Sequence, residues 1–240
     1  MSTIANNIVT TARPGLRQGA LQVEVIADLV CPFCYLGKRR LDTALEAVRG
    51  PREISWYPYQ LNPDMPVGGM AFDAYLAQRF GNAANIQPVL DGLAREGRAE
   101  GIEFRFDRLR HVPNTLAAHQ LMQLAGTEHR DQTALAEALM RAFFEQGEDI
   151  GDHEFLVDVA SRYALAADSV RAALDDADVR QNVLSREAQV RASGMSGVPG
   201  YLLNRRLLVV GAQPADTMIN AFDQAMFGEG DDALEPASLH

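Results

Sequence analysis

Asp28-Leu29-Val30-Cys31-Pro32-Phe33-Cys34-Tyr35-Leu36-Gly37 holds the chain's only two cysteines, two residues apart. Ahead of it Leu21, Val23, Val25 and Ala27 alternate in the period of a strand. Behind it Phe33, Leu36, Leu41, Ala44, Leu45 and Val48 recur at helical spacing, and Gly50-Pro51 ends the run. Pro32 falls where a first helical turn tolerates proline, because its missing N–H would have no partner there. Residues 53–61 read as a second strand, with Pro58 demoting its far half to an edge or exit. The cysteines therefore open the helix of a strand–helix–strand unit.

That position has a chemical use. Disulfide exchange needs a thiolate, and a helix N-terminus offers unpaired N–H groups and the positive end of the macrodipole. Cys31, at the cap, is expected to be the exposed thiol that ionises more readily and attacks. Cys34, one turn inside, is the shielded resolving partner, and Pro32 and Phe33 between them tune the site. Two plainer readings compete. A zinc site built on CxxC wants a second pair of ligands; no third cysteine exists, and His111, His119, His129 and His153 show no close paired spacing. Simple core packing does not account for an isolated cysteine pair at a helix mouth.

The rest of the 240 residues frame this unit. Asn62 to Gly69 is loop, followed by more than a hundred residues of helical pattern broken at Gly81-Asn82, at 97–115 and at 146–153. Residues 102–109 alternate like a strand but read as an extended connector. Asp152 is expected to cap the helix starting near 153, and Asp168 the next one. From Gly194 the pattern returns to turn, strand Tyr201 to Leu203, tight turn Asn204-Arg205-Arg206, strand Leu207 to Val210 and a last helix through Phe227. The expected fold is α/β, a thioredoxin fold with a mixed central sheet and an inserted all-helical domain. Its boundaries fall at 20–62 and 186–227 for the thioredoxin-like part and 63–185 for the insertion, with flexible termini at 1–19 and 228–240. The formal net charge of −10 argues against a nucleic-acid binder. No stretch reaches the length of a membrane span, and residues 1–20 lack the apolar core of a secretory signal. A cytoplasmic location is the expectation, and there a CxxC is catalytic or metal-binding rather than a structural staple.

Several motifs occur in one order: 28–41 around the cysteines, Leu-Asn-Pro-Asp-Met-Pro (61–66), Pro-Asn-Thr-Leu-Ala-Ala-His-Gln-Leu (113–121), Ser-Gly-Val-Pro (196–199) and Gly-Ala-Gln-Pro (211–214). Together, over about residues 20–226, the chain resembles the FrnE-type branch of the DsbA family of thiol–disulfide oxidoreductases. Taken alone, Val198-Pro199 reads as an ordinary loop proline, since cis is a minority state of X–Pro bonds. The resemblance implies a cis Pro199 beside the sulfurs, Cys31 as nucleophile and Cys34 as resolver. The same superfamily holds kappa-class transferases and 2-hydroxychromene-2-carboxylate isomerases, in which a serine typically stands at the Cys31 position. There the loop matching Gly211-Ala212-Gln213 holds glutathione, which makes Ala212 and Gln213 candidate binding residues. Two departures stand out. Gly200 follows the proline where a bulkier residue is common, and Val25 stands where related folds often carry a buried acid. Asp28 is the nearest acid and His119 the recognisable histidine, so both are candidate supports of the site. Trp56 and Tyr57 are expected in the core.

The expectation is an oxidoreductase exchanging disulfides with protein or low-molecular-weight thiols through a mixed disulfide. No metal or organic cofactor is required, and glutathione is a candidate co-substrate. The alternatives are a glutathione-dependent isomerase or transferase on a small aromatic substrate, and a redox-sensing partner-binding protein.

Overall fold

A computed structural model describes residues 20–81 and 83–228; the expectation of flexible termini falls almost wholly outside them. The central sheet has the order β2-β1-β5-β6, with β1 Leu21–Ala27, β2 Arg52–Pro58, β5 Gly200–Leu203 and β6 Leu207–Val210. β1 and β2 run parallel, whereas β5 is antiparallel to both β1 and β6. The sheet is mixed because a helix, α1 (Pro32–Glu46), carries the chain from β1 to β2, and a tight turn joins β5 to β6. In that turn Asn204 and Arg205 both take positive φ, 47° and 54°. Asn204 holds the geometry by accepting the Gln22 N–H at 2.8 Å and donating to the Ala225 carbonyl at 3.0 Å.

β1 is buried almost throughout, which fits a central strand covered on both faces. Val23, Val25 and Ala27 point into the main core with α1 and the last helix, α9 (Ala215–Phe227), which supplies Met218 and Phe222. Ile26 points the other way, into a smaller cluster with Tyr57, Tyr59, Leu202 and Val190.

The chain between β2 and β5 is helical apart from a two-residue ladder, β3 Met70–Ala71 against β4 His111–Val112. Its helices are α2 Phe72–Phe80, α3 Ala83–Ala99, α4 Leu116–Thr127, α5 Gln132–Arg141, α6 His153–Ser161, α7 Ala167–Asp175 and α8 Ala177–Ala192. α8 runs without a break through the expected boundary at 185/186. Residues 102–105 lead into a short 3-10 turn, with Ile102 buried and Phe104 packed edge-on to Tyr35 and Phe144. The connector reading of this alternating stretch is the one the fold uses, since its inward residues meet helices rather than a strand partner. Asp152 caps α6 by accepting the Phe155 N–H at 2.8 Å. Asp168 does not cap α7: the N-cap is Ala166, and Asp168 sits inside the first turn.

These helices close the β2 edge of the sheet. Gln132 takes the Trp56 backbone N–H at 3.4 Å and gives its own amide to the Met122 carbonyl at 2.7 Å, while the Trp56 indole N–H donates to Thr133 at 3.1 Å. The Trp56 N–H, a backbone donor of this edge, is thereby kept from recruiting another strand. A second tie fixes α1 to α5: Lys38, 6 % exposed, contacts Asp42 and Glu137, each at 2.6 Å, and Arg39 also reaches Glu137 at 2.6 Å.

Candidate active site

The site forms at the carboxyl end of β1. Cys31 is the N-cap residue of α1, with extended backbone (φ −92°, ψ 116°), and Pro32 begins the helix as its sequence position requires. The Cys31 carbonyl accepts the Cys34 and Tyr35 N–H groups at 3.0 and 3.2 Å, which sets Cys34 one turn inside. Both cysteines are free thiols.

β5 supplies the facing wall. Its register pairs Gly200 with Ile26 and Tyr201 with Val25, which brings Val198-Pro199 beside the turn from β1 into Cys31. The Val198–Pro199 peptide is cis, and the Val198 carbonyl lies 3.9 Å from Cys31 Sγ. Here the structure corrects one expectation. Cys31 is not exposed: it is 3 % accessible, barely more than Cys34 at 2 %. Cys31 sits among the buried core residues, and Val198 packs against that same cluster. What reaches solvent is its neighbour Phe33, 46 % exposed. Burial pushes the Cys34 thiol well above its ordinary range, and the adjacent Cys31 sulfur adds to the shift.

The third wall is the loop 211–213. The Gly211 N–H donates to the Pro199 carbonyl at 2.8 Å, so this loop and the proline loop hold one another. Arg40 donates to the Ala212 carbonyl at 2.6 Å and to Glu100 and Glu96 at 2.7 and 3.1 Å, linking α1, α3 and the loop. The Gln213 side chain folds back onto the Val210 carbonyl at 2.8 Å, so it serves its own turn rather than pointing toward the sulfurs.

The two remaining candidates come together although 91 positions separate them in the chain. Asp28 is fully buried behind the cysteines, and His119 Nε2 lies 3.4 Å from its Oδ1. The other carboxylate oxygen accepts the Leu61 N–H at 2.7 Å, tying the segment after β2 to the site. Trp56 and Tyr57 are core residues. Met195 packs where a Gly200 side chain would be, and a Cβ there would strike the Met195 methyl.

Sequence reasoning passed over Gly37 and Tyr201. A Cβ on Gly37 would overlap the Tyr201 hydroxyl and approach Pro199 Cγ to 3.0 Å and Ala212 Cα to 3.4 Å. Glycine at this point lets α1 lie directly on both loops. A glycine inside a helical pattern was the available signal, since it costs helix stability unless packing requires it. Tyr201 is 1 % exposed, and its hydroxyl has no hydrogen-bond partner among the described residues. Burial, followed by the two cysteine sulfurs, pushes its ionisation well above the ordinary range, so it stays a neutral donor beside the site. Among the described residues no group of three or more His, Cys, Asp or Glu is placed to hold a metal ion, and no helix is long and apolar enough to cross a membrane.

A mixed sheet with a CxxC at the mouth of its first helix, faced by a proline loop, defines a thioredoxin-fold protein of the redox type. More narrowly, a model of the DSBA-like thioredoxin domain matches residues 22–223, and the chain belongs to that family. It is 26 % identical over 192 residues to the uncharacterized protein YwbO of Bacillus subtilis (strain 168), covering 76 % of this chain and 86 % of that protein. The crystal structure of the probable DsbA oxidoreductase SCO1869 from Streptomyces coelicolor superimposes with a TM-score of 0.79 at 31 % identity, over 90 % of this chain and 94 % of that one. The cytosolic disulfide reductase DsbM from Pseudomonas aeruginosa, solved with GSH, shares the fold at 19 % identity and a TM-score of 0.55, over 85 % and 95 % of the two chains.

Proposed function

We propose that the protein is a thiol–disulfide oxidoreductase of the FrnE-type branch, working through Cys31 and Cys34. The observation that carries this reading is the paired arrangement: two free thiols within one helical turn at a helix N-terminus, the second forced strongly toward its neutral form by burial. In the oxidising direction, a Cys34 thiolate attacks the Cys31 sulfur of a mixed disulfide, the Cys31–Cys34 bond forms, and the partner leaves as a thiol. In the reverse direction a partner thiolate attacks Cys31 and expels Cys34.

Protein thiols and low-molecular-weight thiols are the proposed partners, with glutathione as a co-substrate and no metal or organic cofactor. DsbM, a cytosolic protein solved with GSH, motivates testing glutathione and a cytoplasmic setting. Residues 63–185 are proposed as the insertion that shapes what reaches Cys31. The isomerase alternative is less favoured, because the attacking position carries cysteine rather than serine. The proposal is tested with Cys31→Ser: exchange with an insulin or glutathione disulfide substrate should fall by about three orders of magnitude. Unchanged exchange in that variant would reject it, and turnover of a small aromatic with glutathione would install the isomerase in its place.

A further inference from the structure

Two of the collinear sequence motifs, 61–66 and 113–121, carry neither sulfur, and the structure brings them together beside one pocket. Residues 61–66 form its near wall and are pinned at both ends. Asp28 accepts the Leu61 N–H at 2.7 Å, and Asn114 donates to the Met65 carbonyl at 2.7 Å. The Met65 N–H closes the turn onto the Asn62 carbonyl at 3.0 Å. The far wall is α2, which presents Tyr75, Gln78 and Arg79 on one face at spacings of three and four. α2 hangs on the same short segment as the loop: the Phe72 N–H donates to the Arg110 carbonyl at 3.0 Å, and Met70 pairs with Val112 in the β3–β4 ladder. Residues 110–114 thus hold both walls, and the pocket between them has a volume of about 290 Å³.

This pocket is joined to the cysteine site. Asp28, whose carboxylate holds Leu61, also accepts the Cys31 N–H through its carbonyl at 3.2 Å. Asp28 alone therefore bridges the attacking cysteine and the pocket wall. Both stand beyond the carboxyl ends of the parallel strands β1 and β2, where open α/β sheets take their ligands. An extended chain advances about 3.3 Å per residue. A partner disulfide bonded to Cys31 thus reaches the pocket with the second or third residue beside its own cysteine. Leu61, Met65, Met70 and Tyr75 offer apolar surface there, and Asp64 and Arg79 bring one charge of each sign. Opposite signs leave no net charge to draw an ionic small thiol, and methionines adapt to apolar groups of different shape. Val67, 90 % exposed, and Phe80, 41 % exposed, follow the lining residues Pro66 and Arg79 in the chain and add apolar surface next to them.

We propose that this pocket is a subsite for an apolar side chain two or three residues from the cysteine of a disulfide-bonded polypeptide. The inference rests on the reading of Cys31 as the attacking thiol, and it names which partner of that thiol the pocket serves: an extended peptide segment rather than a small thiol. The volume has room for one or two large side chains and is too small for a folded surface. Glutathione and similar small thiols are polar and charged throughout and have no apolar side chain to bury there. An unfolded segment has. Because Asp28 and Asn114 already hold the loop, little ordering is left to offset the gain when a side chain enters.

The test mixes the full, reduced chain with peptides closed by one internal disulfide and follows their reduction in a single turnover. Two electrons and two protons pass from Cys31 and Cys34 to the peptide, which becomes a dithiol as the chain becomes a disulfide. Leucine replaces serine at the second or third position on either side of a peptide cysteine, and glutathione disulfide serves as the partner without an apolar side chain. At least one leucine peptide should react about tenfold faster than the all-serine peptide, the size expected of one apolar side chain in a pocket. Tyr75→Asp puts a charge in the lining, and Gln78→Trp fills the pocket from an exposed position. Each should bring that ratio to about one. No leucine preference in the parent, or a preference that survives in either folded variant, overturns the proposal. So does a variant that slows the all-serine peptide and glutathione disulfide as much as the leucine peptide. If Tyr75→Asp fails to fold, Gln78→Trp decides alone. A parent that reduces none of these disulfides refutes the disulfide-exchange reading, and the subsite falls with it.

Discussion

The two sulfurs of the site stand one helical turn apart and are surrounded by different parts of the chain. Around Cys31 the partners are a helix N-terminus, the Val198–Pro199 loop and, beyond it, the 211–213 loop, all belonging to the central sheet and its connections. Behind Cys34 lie Asp28 and, from α4 of the intervening helices, His119. The front is built of backbone groups and faces the rim where Phe33 is exposed. The rear is built of buried ionisable side chains. One sulfur sits against the proline loop of the sheet; the other is held toward its neutral form by burial.

Beyond the loss of Cys31 itself, the largest effect should come from the sulfur on the rear side. Cys34→Ser removes the resolving thiol, and turnover should fall by about two orders of magnitude or more while a mixed disulfide at Cys31 accumulates. Mass spectrometry reads that adduct directly, and its absence would contradict the division of roles. Gly37→Ala attacks the contact between α1 and both loops. The added methyl meets Tyr201 and Pro199, and the expected loss is about 1–3 kcal/mol of stability by denaturant unfolding, together with slower exchange. Lys38→Met should cost less, about 1–2 kcal/mol, because Glu137 keeps Arg39 and both partners are partly exposed. Gly200→Ala should be the mildest, below about 1 kcal/mol, since only the mobile end of Met195 must yield.

The raised ionisation of Cys34 adds a dependence on pH. A thiol whose folded value lies above its unfolded value favours the fold while it stays protonated. The reduced protein should therefore keep this contribution below about pH 8.5, the ordinary thiol value, and lose it as pH rises toward the folded value. Thermal unfolding followed from neutral to alkaline pH should show the loss, and Cys34→Ala should flatten it.

Local residues announced the front of the site. Pro32, the alternation before Cys31 and the helical spacing after it placed the thiols, and the return to strand pattern after Gly194 supplied the opposing wall. The rear was legible only as two separate candidates. Nothing in the spacing of Asp28 and His119 says that α4 brings them together, because helix packing against a sheet edge is decided by side chains such as Gln132 and Trp56. The burial of Cys31 escaped for a related reason. Helix position reveals which thiol faces the N-terminus, but the loop that shields it begins 167 residues later.

Equilibrium titration of the full reduced chain against a glutathione redox buffer tests the central claim most directly. The account predicts one reversible two-electron transition, tenfold in equilibrium constant per about 30 mV, ending in a Cys31–Cys34 disulfide that Cys31→Ser and Cys34→Ser each abolish. A chain that stays a dithiol across the buffer range, or that forms a disulfide it cannot give up, would contradict it.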